Sequence, residues 1–151
     1  MATQHSQYLE SKVLTAPPHR LHLMLIEGAI RFGRQAEEAL QRGDKTAAAA
    51  PLVRVIDIVG EMLAGVREQK SDLNKNLTDL YWFLFRRVSE AKINADAAPL
   101  AEALRLLEFE RQTWLLLCEK LGNTGGTSAP VRGPSQVGEL KQPRPSIWLE
   151  A

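Results

Sequence analysis

Apolar residues in the first 122 positions recur every three or four places, the period of a helix that buries one face. Four such stretches follow one another. The first is predicted to begin at Pro18, because proline is tolerated where the first N–H of a helix has no partner anyway. Leu21, Leu25, Gly28, Phe32 and Ala36 mark its face, Leu23, Ile26 and Ile30 add a second stripe, and Gly43 stops it. Asp44 is placed to cap a second helix running to about Lys70, with Leu52, Val55, Ile56, Val59, Met62, Leu63 and Val66 as its stripe. Pro51 removes one backbone hydrogen bond and predicts a kink or a later start.

Ser71 or Asp72 begins a third helix that runs to about Asn94. Leu73, Leu77, Leu80, Leu84, Val88 and Ala91 form its face, Tyr81 and Phe85 extend that face, and Trp82 and Phe83 point away. Asp96 caps a fourth helix with Pro99 in its first turn; Leu100, Leu104, Leu107, Trp114, Cys118 and Leu121 line its buried side and Gly122 ends it. Sustained period-two alternation is absent, so no strands are expected. Helices of this length with short joints pack as antiparallel neighbours. The expected fold is all-α, an antiparallel up-and-down four-helix bundle over residues 18–122. Residues 1–17 make a short N-terminal cap segment.

Gly and Pro divide the rest of the chain. Four of the ten glycines and four of the eight prolines fall in residues 123–151. A segment so poor in apolar residues cannot offset its ordering entropy, which predicts a disordered tail. Its one apolar island is Ile147-Trp148-Leu149, preceded by Pro143 and Pro145.

Charge narrows the function. Nineteen Lys and Arg against eighteen Asp and Glu give a net charge of +1, which speaks against nucleic acid and against attraction to a membrane surface. The first ten residues lack the basic start and apolar run of a secretory signal, and no apolar run is long enough to insert in a membrane. A single cysteine, Cys118, suits a reducing cytoplasm.

The search for chemistry returns little. One Cys and three His give no zinc-ligand spacing, so no metal is expected. No Glu-x-x-His pair for a di-iron centre and no phosphate-binding loop occurs. Cys118, on an apolar stripe with Trp114, reads as an inert thiol. His19 and His22 read as surface polar residues of the first turn, and no Lys follows His22 to balance a phosphoryl group. No cofactor and no enzymatic activity are expected. What remains is an apolar surplus: Leu23, Ile26, Ile30, Tyr81, Trp82, Phe83 and Phe85 exceed what four simple stripes require. They make either a thick core or a groove for an amphipathic segment of another protein.

The residues also bring a resemblance. Tyr8, Val13, Thr15, Ala16, Pro18, Leu21, Met24, Leu25 and Gly28 stand as Tyr-x4-Val-x-Thr-Ala-x-Pro-x2-Leu-x2-Met-Leu-x2-Gly, and Ala29, Ile30 and Phe32 continue it. This resembles the opening of the flagellar secretion chaperone FliS family. Asn76, Leu77, Leu80, Tyr81, Phe85, Arg86 and Arg87 look like its third-helix segment, Ala91, Asn94 and Asp96 like its joint into the fourth helix, and Trp114 like its late tryptophan. Ile26, Pro17, His19 and Arg20 depart from the pattern.

The resemblance implies a cytoplasmic chaperone that binds the disordered C-terminal segment of flagellin, prevents premature polymerisation and delivers it to the flagellar export gate. It also implies that Tyr8 and Val13 are candidates for a self-cover of the client site that the client displaces; the alternative is that Tyr8 anchors the first helix. Because the second and third helices show more than one apolar stripe, Ile56, Leu63, Leu77, Tyr81 and Phe85 are the expected groove contacts. The rival is a helical adaptor, or a dimerising protein, with a different secretion-system partner.

Overall fold

The structure is a computed structural model that describes residues 16–67 and 72–122. Its elements are helices α1 (Pro18–Gln41), α2 (Lys45–Arg67), α3 (Asp72–Asn94) and α4 (Ala97–Leu117), followed by a π-helical turn, Cys118–Gly122. Each helix packs on its neighbours in the chain, and α1 closes on α4. The described residues therefore form the antiparallel four-helix bundle that the pattern implies, with no strand among them.

Local chemistry fixes the helix ends. Pro17 precedes α1 and gives no side-chain cap. At the far end Gly43 takes φ 78°, and its N–H reaches the Leu40 carbonyl at 3.0 Å. The Asp44 N–H reaches the Ala39 carbonyl at 2.9 Å, which completes a Schellman stop. The Asp44 carboxylate then accepts from the Ala47 N–H at 3.0 Å and starts α2. The α3–α4 joint repeats this plan. Ala95 takes φ 52°, the Asp96 N–H reaches the Ala91 carbonyl at 3.1 Å, and the Asp96 carboxylate caps Ala98 at 3.0 Å.

Helix α2 begins at Lys45 and runs through Pro51, so the later start weighed for it does not occur. Ser71 lies outside the described residues, and α3 begins at Asp72.

The core is apolar and continuous. Ile26, Ala29, Leu52, Val55, Val59, Met62, Leu84, Val88, Leu100 and Leu107 are all buried. Leu23 and Ile30 join Ile26 in the interior, so part of the apolar surplus is simply a thick core. Gly33 lets α1 approach α4 closely: a Cβ there would lie 2.7 Å from Leu104 Cδ2. Arg34 and Glu108 pair across α1 and α4 at 3.0 Å, and Arg87 and Glu102 pair across α3 and α4 at 2.9 Å.

Two stripe residues expected inside are exposed. Leu73 is 66% and Leu121 46% accessible. Leu73 stands at the mouth of an opening lined also by Pro18, Val66 and Trp114, and Leu121 lies in the last turn of the described chain. The Cys118 thiol lies 3.6 Å from the His19 carbonyl, so Leu121, three residues on, stands about 3 Å beyond the start of α1.

Candidate partner-binding surface

The α2–α3 face is built around a glycine. Gly60 leaves room on α2, and the Phe85 ring of α3 lies over it, 3.7 Å from where a Cβ would stand. Trp82 lies edge-on to Phe85, with ring centroids 5.7 Å apart and planes at 78°. Phe85 and Ile56 are half-buried and Trp82 is 42% exposed. The face thus presents rings and a branched aliphatic chain that the bundle covers only in part. Asp79 and Arg86 border an open pocket beside Trp82.

The expected contacts divide by depth. Ile56, Leu77 and Phe85 are half-buried, whereas Leu63 is buried and Tyr81 is fully enclosed. Tyr81 therefore does not stand on the outer face of the groove. Tyr8 and Val13 lie outside the described residues. Trp82, read from the sequence as pointing away from the core and as part of the apolar surplus, supplies the exposed ring of this face.

A second opening lies where α1 begins and α4 ends. Pro18, His19, Val66, Leu73, Asn74, Leu77 and Trp114 line a pocket of about 280 Å³. The chain enters the bundle at its edge, because Pro18 is both the first helical residue and part of the wall.

Beneath this pocket sits a polar network in the core. Tyr81 donates its hydroxyl to Glu110 at 3.2 Å, and the Trp114 indole N–H reaches the same carboxylate oxygen at 3.3 Å. His22 Nε2 lies 2.7 Å from the Tyr81 oxygen, and its ring centroid is 4.1 Å from that of Trp114. Tyr81 has one proton, and it goes to the carboxylate, so His22 serves as the neutral Nε2–H donor. Burial keeps the His22 ring neutral. It pushes the His22 pKa down to about 3, raises that of Glu110 against the pull of the Tyr81 and Trp114 hydrogen bonds, and raises that of Tyr81 with help from the Glu110 charge.

This overturns the sequence reading of His22 as a surface residue: it is 0% exposed. The signal was its place on the line His22, Ile26, Ala29, Gly33, which faces inward throughout. Glu110 shares its helix face with Ala103, Leu107 and Trp114, and its burial likewise went unread from sequence. Cys118 is buried, and desolvation holds its thiol pKa above the usual range, consistent with a packing role.

Among the described residues no group of three or more His, Cys, Asp or Glu is placed to hold a metal ion. No described helix is long and apolar enough to cross a membrane.

A family model described as flagellar protein FliS matches residues 1–120. The chain belongs to the FliS family. It is similar to the flagellar secretion chaperone FliS of Salmonella typhimurium, with 32% identity over 114 residues, 74% of this chain and 84% of the relative. It is 28% identical over 110 residues to the flagellar secretion chaperone FliS of Bacillus subtilis, covering 73% of this chain and 82% of the relative. The flagellar secretion chaperone FliSB of Pseudomonas aeruginosa is 29% identical over 107 residues, 70% of this chain and 85% of its own length. The match extends across all four helices. Residues 121–151 lie outside the family match.

Proposed function

We propose that this FliS-family chain is a cytoplasmic export chaperone, without catalysis, for flagellin. It holds the C-terminal segment of flagellin, keeps it from polymerising early and passes it to the flagellar export apparatus. The observation that carries the reading is the α2–α3 face, where Ile56, Phe85 and Trp82 leave aromatic and branched surface part-covered around Gly60. A disordered amphipathic segment that folds on contact needs such a face, because apolar burial must offset its ordering cost. The names of the relatives, flagellar secretion chaperones, support the role.

Leu77 belongs to this face and to the neighbouring pocket. Tyr81 and Leu63 support the face from within. The segment carrying Tyr8 and Val13 leads to the pocket edge at Pro18, and in this reading it occupies the client site until displaced. Residues 18–122 are the binding domain, 1–17 its cover and 123–151 an appended tail.

Titration calorimetry with a peptide of the flagellin C-terminal segment from the same cell tests the proposal. The expected result is micromolar or tighter binding with a large negative heat-capacity change. No heat at several temperatures, together with a stable dimer by light scattering, would replace the chaperone with a dimerising adaptor.

A further inference from the structure

Helix α4 is apolar on two sides. Leu100, Ala103, Leu104 and Leu107 fill the core. On another side Phe109 is 68%, Leu116 58% and Leu117 37% exposed. Phe109 and Leu116 are seven residues apart, two turns along one line. Thr113 stands between them, and its hydroxyl bonds back to the Phe109 carbonyl at 3.2 Å, so it offers little polar barrier. Of the neighbouring charges, Glu108 pairs with Arg34 and Arg111, while Arg105 borders Phe109 and Glu119 and Lys120 lie just beyond Leu117. The result is a short apolar strip on an exposed side of α4. A helix apolar on two sides is normally covered on two sides.

The strip leads directly to the point where the chain leaves the bundle. Leu116 is about 9 Å along the helix from Gly122, and Phe109 about 20 Å. Beyond Gly122, twenty-four residues rich in Gly, Ser and Pro separate the bundle from Ile147-Trp148-Leu149. A linker of that length and composition spans about 27 Å by chain statistics. The island is therefore tethered within reach of the strip at an effective concentration on the order of millimolar. Three consecutive apolar residues, one of them Trp, match a strip of one Phe and two Leu. A second copy is a poorer occupant, since three partly exposed side chains fall well short of the roughly 800 Å² per partner in a stable dimer.

We infer that the Phe109–Leu116–Leu117 strip of α4 is the docking site of the chain's own Ile147-Trp148-Leu149. The inference stands apart from the flagellin reading, because it concerns a different face and a segment beyond the family match.

Photo-crosslinking in the full chain tests it. Trp148 is replaced by benzoylphenylalanine, the protein is irradiated over a dilution series, and the joined peptides are mapped by mass spectrometry. The expected product has monomer mass, a yield independent of concentration, and crosslinks within 109–117. Phe109→Ser with Leu116→Ser, both exposed positions, should lower that yield about tenfold, equivalent to about 1.4 kcal/mol, with helicity retained by circular dichroism. Crosslinks between two copies that grow with concentration would assign the strip to self-association and overturn the inference. Crosslinks confined to other helices, unaffected by the double substitution, or no crosslinks at all, would overturn it too.

Discussion

His22 and Tyr81 stand 59 positions apart in the chain and meet at 2.7 Å inside the bundle. Tyr81 passes the link on to Glu110, so one hydroxyl ties α1, α3 and α4 together. Buried polar groups of this kind are costly when left unpaired and nearly free when fully paired. Tyr81→Phe keeps the ring and removes only the hydroxyl. It should lower stability by about 1–3 kcal/mol, read from urea denaturation, because Glu110 and His22 both lose a partner.

Acid should weaken the bundle through the same site. The folded state holds His22 neutral, with a pKa near 3, whereas an unfolded chain protonates it near pH 6.5. Its contribution is intact above about pH 6.5 and is lost as pH falls towards 3. The slope is about 1.4 kcal/mol per unit, or about 2 kcal/mol by pH 5. Glu110 has the opposite sign: its raised pKa favours folding with the proton on, so its contribution diminishes as pH rises through the carboxylate range. Urea midpoints between pH 7 and 5 should fall for the parent chain, and His22→Phe should flatten that fall.

The α2–α3 face makes a sharper prediction about binding. Trp82 is 42% exposed, so Trp82→Ala should fold normally. It should weaken binding of the flagellin peptide at least tenfold, about 1.4 kcal/mol or more, as loss of an aromatic anchor does. Calorimetry on the parent and the variant measures the difference. Unchanged affinity would move the client site off this face.

Ala95 carries a strain that Gly43 avoids. Both occupy the positive-φ position that ends a helix, at 52° and 78°. Left-handed backbone costs a residue with a Cβ about 1–2 kcal/mol, partly offset by the greater freedom of glycine when unfolded. Ala95→Gly should therefore stabilise the chain by about 0.5–1 kcal/mol, seen as a rise in Tm.

The helices were legible because their ends are written in local chemistry. Pro18, Gly43, Asp44 and Asp96 act within a few residues of themselves, and the structure uses each of them as the sequence suggests. The apolar stripes gave the core for a similar reason. The polar network was not legible, since His22 and Glu110 look like surface residues until Tyr81 is placed between them. That placement depends on the register of three helices, which no stripe encodes. Leu73 and Leu121 show the complementary error: a stripe says which way a side chain points, not how completely its neighbours cover it. Of the expected contacts, Ile56, Leu77 and Phe85 were visible as stripe residues and Trp82 as a ring pointing away from the stripe, whereas the contact of Trp82 with Phe85 emerged only with the fold.

The two joints at one end of the bundle carry a consequence for length. Asp44 and Asp96 each close one helix with the backbone N–H and open the next with the carboxylate. Inserting even one residue at either joint divides that task between two positions and breaks the geometry of at least one helix end. Variation in chain length, and the insertion of any tag or reporter, should therefore be tolerated poorly at Arg42–Asp44 and Ala95–Asp96. This end of the molecule acts as a fixed ruler against which the opposite end can be rebuilt.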